Sequence, residues 1–188
     1  MKEKQKLTRR QRVLFIAGLL CMLAGCGILA VLGGKRIAWR IKKAKLMREN
    51  TSIVIPSLGI RAPILEGVGQ DVLKVAAGHF PGSGEVGSGN YCIAAHSSAI
   101  YKEYFNNLKN AETGTEILLC VPGKEPVSYY VTDHFIVEPS ETWILDDFGD
   151  TRVTLVTCTD DGSQRRIIVG KPQSDAPDMT GETGTALS

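Results

Sequence analysis

The alternation of apolar and polar positions changes character twice along the chain. From Val13 to Gly34 the run VLFIAGLLCMLAGCGILAVLGG holds 22 residues without a charge. As a helix rising 1.5 Å per residue, that length crosses the roughly 30 Å hydrocarbon core of a bilayer. The pattern therefore predicts a transmembrane helix over residues 13–34, with a basic n-region at 1–12 before it and a basic juxtamembrane segment at 35–50 after it. In the latter, Ile37, Trp39, Ile41 and Leu46 stand among Lys and Arg, a composition that suits a helix on anionic headgroups and a solvated stalk equally well. A cleaved secretory signal has an apolar core of only about 7 to 15 residues, so an uncleaved anchor is expected. Leu23-Ala24-Gly25-Cys26 has the form of a lipoprotein acylation site, yet the apolar run continues to Leu32, where a polar tether is usual.

From Thr51 onward the period becomes two. SIVIPSLGI, APILEGV, NYCIAAH, TEILLCV, VSYYVTDHFIVE, TRVTLVTC and RRIIVGK are short, rich in Val, Ile and Tyr, and punctuated by Gly and Pro. Such runs predict a mainly β domain over residues 51–171, a barrel or a sandwich. Between them AIYKEYFNNLKN carries Ile100, Tyr104, Phe105 and Leu108 on one helical face, which predicts a short helix after His96. The tail 172–188 is poor in apolar residues and rich in turn formers, and is expected to be disordered.

Charge sharpens the division. Residues 1–50 hold thirteen of the 22 Lys and Arg and only two acids, while the other 138 hold nine basic and eighteen acidic residues. A nucleic-acid-binding domain shows basic clusters on its folded part, and this acidic body excludes that function. Basic residues flank the apolar run on both sides, so counting them leaves its orientation undecided. GSGEVGSGN lacks the Lys-Ser/Thr ending of a phosphate loop and reads as a turn. With no CxxC or CxxH pair and the three histidines far apart, neither metal nor cofactor is predicted.

Three residues of the body carry candidate chemistry. Cys158 closes TRVTLVTC ahead of the turn TDDGSQ, a strand-end position where a thiol is reachable, whereas Cys92 and Cys120 lie within apolar strands and read as core. Arg165 and Arg166 open the next strand across a short turn. A guanidinium there favours thiolate and can donate to a carbonyl oxygen that gains charge, but adjacent strand residues face opposite ways, so only one arginine serves. His96 ends NYCIAAH and is placed for general acid–base work, although a lone histidine at a strand end is as readily structural. His79 and His134 have weaker claims.

TLVTC followed by an arginine that opens an apolar strand, with an earlier strand ending in Ala-His, resembles the sortase family of Gram-positive bacteria. IVIPSLGIRAPILEG, GHFPGSGEVGSGNYCIAAH and YYVTDHFIVEP extend the likeness over nearly the whole body. The resemblance implies a closed eight-stranded β-barrel with one or two short helices, behind a single N-terminal transmembrane helix and on the outer face of the membrane. It implies catalysis by Cys158, His96 and Arg166, the arginine that matches the family's position, with Arg165 as the alternative. It further implies a cysteine transpeptidase that cleaves an LPXTG-like sorting signal of secreted proteins through a thioester, then passes the acyl group to an amine of cell-wall precursor or protein. AAHSS departs from the G-H-R of many members, and neither a lid nor a C-terminal membrane helix is evident, so an anchoring enzyme is expected before a pilin polymerase. A hydrolytic peptidase with the same residues, and a non-catalytic binding module, are the competing readings.

Overall fold

The computed structural model describes residues 9–97 and 104–173. It opens with α1 (Arg9–Glu49), a single helix of 41 residues that is long and apolar enough to cross a membrane. The basic segment after Gly34 continues this helix without a break. The helix is closed by Asn50, whose backbone N–H and Nδ2 both donate to Leu46 O, at 3.0 and 3.1 Å. Among the described residues, those up to Ala44 form one unit and those from Lys45 a second, so the last turn of α1 belongs with the body.

The body is a closed barrel of eight strands: β1 (Ser52–Ile55), β2 (Ile60–Glu66), β3 (Ala77–His79), β4 (Asn90–Ala94), β5 (Glu116–Cys120), β6 (Val127–Val137), β7 (Arg152–Cys158) and β8 (Arg165–Lys171). Around the barrel their order is β1-β2-β3-β4-β7-β8-β6-β5, with β2–β3 and β4–β7 parallel and every other pair antiparallel. All the runs of period two are strands. β3 is the strand that periodicity does not reveal: three residues, Ala-Gly-His, give no alternation to count. Its glycine is required by packing, since a Cβ on Gly78 would stand 2.2 Å from Gly67 O. A short helix, α2 (Gln70–Leu73), precedes it. The helix expected after His96 lies partly outside the described residues; its described part, residues 104–110, is a set of turns ending in a 3-10 turn at Leu108–Asn110. Phe105 and Leu108 are nevertheless fully buried and Tyr104 packs against the same core, so the described part of the predicted apolar face does pack on the barrel; Ile100 lies outside the described residues. The expected disordered tail also lies outside the described residues, apart from Pro172 and Gln173.

Strand alternation divides the apolar residues between two clusters. Ile53, Ile55, Ile93, Ile117, Leu119, Tyr129, Val153, Leu155 and Ile168 fill the barrel. Val156, Ile167 and Val169 point outward and are covered by Ile144, with Phe80, Ala94, Phe135, Val137 and Leu145 around them. Burying each such side chain contributes about 1.5–3 kcal/mol. The segment between β6 and β7 that brings Ile144 over this outer face is pinned by Asn90, which is 2% exposed. Asn90 Nδ2 donates to Ile144 O and Asp146 O, both at 2.9 Å, and its Oδ1 accepts from Thr154 Oγ1 at 2.6 Å.

Candidate active site

Parallel pairing of β4 with β7 decides which residues meet. Asn90 is level with Arg152 and Ala94 with Val156, so both strands run to the same end of the barrel. The ladder extends one residue further, with Ala95 N–H donating to Val156 O at 3.2 Å and Thr157 Oγ1 to Ala95 O at 2.8 Å. The same offset brings His96 level with Cys158. Alternation also holds through this extension. Tyr91, Ile93 and Ala95 face the barrel interior, which leaves Cys92, Ala94 and His96 on the outer face. On β7 the interior face belongs to Val153 and Leu155, and the outer face to Thr154, Val156 and Cys158. Continued two residues past Ala94, where β4 ends, the register puts His96 opposite Cys158, the last residue of β7, and on the same face. Both are partly exposed.

Antiparallel pairing of β7 with β8 brings the arginines to the same rim. The register pairs Cys158 with Arg165 and Thr157 with Arg166. Directly paired residues share a face, so Arg165 lies on the face of Cys158, Ile167 and Val169, while Arg166 goes with Thr157 and Ile168. The place expected for Arg166 beside the sulfur therefore falls by register to Arg165. Its Nη1 donates to Gln164 O at 3.1 Å and to Gly162 O at 3.4 Å, which leaves Nε and Nη2 without a partner among the described residues.

The other thiols and histidines differ in kind. Cys92 is fully buried, and burial pushes its thiol up to about 11, so it stays protonated and inert at neutral pH. Cys120 is half-buried at the far end of β5. His79 is 12% exposed and fully bonded: Nδ1 meets Glu66 Oε2 at 2.7 Å, Nε2 meets Ser83 Oγ at 2.9 Å and Gly84 O at 3.2 Å, and the ring stacks on Tyr91 at 4.4 Å. Ser, His and Glu in this order resemble a hydrolytic relay, but the hydroxyl also donates to Phe80 O at 2.8 Å and accepts from Cys92 N–H at 3.2 Å. A serine so committed is a strut, not a nucleophile. His134 is exposed on β6, away from the rim group.

A thiol, an imidazole and a guanidinium grouped at one mouth of a closed barrel, beside an apolar outer face walled by the β6–β7 segment, can hold an extended peptide and attack its carbonyl. Residues 53–173 match the family model of the sortase domain. The chain belongs to the sortase family. It is 33% identical over 140 residues to sortase A of Streptococcus agalactiae, a match that covers 71% of this chain and 55% of that protein. The chain thus spans about half the length of that relative. Among solved sortases, the Clostridium perfringens sortase D5 transpeptidase shares 31% identity at a TM-score of 0.59, over 70% of this chain and 87% of that one. Sortase C-1 from Actinomyces oris shares 30% at 0.59, over 64% and 71%. Resemblance to sortases of several kinds at nearly equal distance assigns this sortase to the family without choosing a subgroup. What sequence reasoning missed beside the site is Asn90, the residue that pins the β6–β7 segment over the apolar outer face; its signal was a polar residue opening an otherwise apolar strand directly after a glycine turn.

Proposed function

We propose that this sortase is a membrane-anchored cysteine transpeptidase, with the apolar part of α1 spanning the bilayer and the barrel on the outer face. In this reading Cys158, as thiolate, attacks the carbonyl carbon after the threonine of an LPXTG-like signal in a secreted protein. The C–N bond breaks as His96 gives its proton to the departing amine, and a thioester on Cys158 remains. An amine of cell-wall precursor or protein, deprotonated by His96, then displaces the sulfur and leaves with a new amide. The single observation that carries the reading is the convergence of the ends of β4, β7 and the start of β8 at one rim, where the β4–β7 register, continued past Ala94, carries His96 to the level of Cys158.

Arg165 is the guanidinium we assign to the oxyanion or the substrate backbone, because register pairs it with Cys158. The second reading keeps Arg166, on the family's sequence spacing and on its freedom from the carbonyls that hold Arg165 Nη1. Purified full-length chain in detergent, given an LPXTG-type peptide and an amine, tests both points. Cys158→Ala is expected to abolish product, with wild-type giving a thioester adduct detectable by mass spectrometry when the amine is withheld. Removing a transition-state donor typically costs about 10²–10³ in kcat. Arg165→Ala is expected to lose that much and Arg166→Ala far less; the opposite ranking would return the role to Arg166. Product from Cys158→Ala equal to wild-type would remove the mechanism, and release of free acid with no amide formed would make the enzyme a hydrolase.

A further inference from the structure

The turn between Cys158 and Arg165 is rigid within itself. Thr159 N–H donates to Gln164 O and Gln164 N–H to Thr159 Oγ1, each at 3.1 Å. Asp161 accepts from Thr159 Oγ1 at 2.6 Å and from Ser163 N–H and Oγ at 3.1 and 2.7 Å. A turn braced in this way moves as one piece, so its orientation depends on whatever ties it to its surroundings. Among the described residues two side-chain ties leave it, one to each side. Asp160 Oδ2 accepts from Lys109 Nζ at 2.9 Å, and Gln164 Nε2 donates to Glu138 Oε1 at 2.7 Å.

Each tie reaches an element that carries part of the rim. Glu138 directly follows Val137, the β6 residue paired with Arg165. Lys109 lies on the segment that leaves β4 through His96 and is joined back to it by Phe105 N–H donating to His96 O at 3.1 Å. β4 and β7 are held by their ladder up to Ala95 and Val156, and by Thr157 Oγ1 donating to Ala95 O at 2.8 Å. Beyond those contacts no hydrogen bond or ion pair among the described residues joins the histidine to the thiol directly, and their spacing is left to the segments that follow them. The 2.9 Å ion pair spans them.

We propose that Lys109 and Asp160 are positioning residues for the transfer reaction, a clamp that holds the turn after Cys158 against the segment after His96, with Gln164–Glu138 as its counterpart on the arginine side. The inference rests on the catalytic reading of this rim. A misplacement of about 1 Å can cost on the order of 100-fold in rate. An exposed ion pair contributes little to global stability, so a clamp of this kind shows itself in turnover and not in melting.

The test uses full-length chain in detergent, the LPXTG-type peptide and an amine, with Cys158→Ala as the blank and Lys124→Ala, on the β5–β6 turn at the opposite end of the barrel, as a remote charge control. Lys109→Ala and Asp160→Ala are each expected to lower kcat by about two- to fivefold, the range an exposed pair can supply, with KM unchanged. The double variant is expected to be no worse than either single one. Lys109→Asp combined with Asp160→Lys is expected to recover to within about twofold of wild-type, and high salt to bring wild-type down to the level of the single variants. Unchanged kcat in both single variants, additive losses in the double one, or no recovery in the exchanged pair overturns the clamp while Cys158→Ala is still inactive. Product from Cys158→Ala equal to wild-type overturns the catalytic reading and the clamp with it.

Discussion

Asn90 shows how much one amide can hold. Both its donor hydrogens and its acceptor are used, on Ile144 O, Asp146 O and Thr154 Oγ1, and the bonds to Ile144 O and Thr154 Oγ1 are buried. Asn90→Ala leaves them unpaired, and each buried polar group so orphaned costs about 1–3 kcal/mol. The expected loss is roughly 2–4 kcal/mol in denaturant unfolding, together with a raised KM as the wall formed by Ile144 and Leu145 loosens. The thiols give a second residue-scale prediction. With Cys92 buried and its thiol pushed up to about 11, alkylation at neutral pH followed by peptide mass mapping is expected to find Cys92 the last of the three body cysteines to react. Cys158 and His96 were legible as candidates because a strand that ends in a reactive side chain announces itself by position. Choosing between Arg165 and Arg166 was not possible from the residues alone, because the choice depends on one step of register and a one-residue slip turns every side chain to the other face. Spacing across a turn does not carry that phase; the pairing of Cys158 with Arg165 does.

Among elements, the runs of period two were read correctly as strands, the helical period after His96 gave turns where it is described, and β3, with no period to count, was lost. β7 and β8 run over seven residues each, and both are buried along most of their length on both faces. β3 had only Ala77, Gly78 and His79, and exists because β2 and β4 offer it partners. Its tolerance is correspondingly small: Gly78→Ala forces a Cβ against the Gly67 carbonyl, and we expect failure to fold or a loss of several kcal/mol, read by thermal unfolding. The far ends of β7 and β8 are joined by Asp150, which is bonded to Arg152 and lies 2.8 Å from Lys171 Nζ. The hydrogen bond from Arg152, with Lys171 assisting, lowers the Asp150 carboxyl to about 2. A folded-state value below the unfolded one of about 3.9 means that the group stabilises the fold above pH ~4 and that this stabilisation is lost as pH falls towards 2. Asp150→Asn is therefore expected to flatten the decline in stability between pH 4 and 2, measured as the denaturation midpoint at each pH.

At the scale of the whole chain, the barrel has two ends with different duties. β1 begins, β2 and β3 finish and β4 and β7 start at one end, so the chain enters from α1 there, while Cys158, His96 and Arg165 occupy the other. β7 is seven residues long, and at about 3.3 Å per residue the thiol stands roughly 20 Å from the entry. The long apolar helix was legible because length and lack of charge are all that a membrane-crossing helix asks for, and Val13 to Gly34 supplies both. Its lower boundary was not, since the helix runs on through basic residues that a soluble helix accepts equally well, and packing alone decides where the body starts. Leu46 and Met47 are partly buried and Asn50 caps the turn that holds them, which puts that start at Lys45 and not at Thr51. A chain beginning at residue 45 is expected to unfold cooperatively, with the same midpoint as the full-length protein in detergent and full activity on a soluble peptide. A chain beginning at residue 51 loses the cap and the apolar cover together and is expected to melt several degrees lower. Equal midpoints for the two truncations would mean that the last turn of α1 adds nothing to the barrel and that the division belongs where the change of period first placed it.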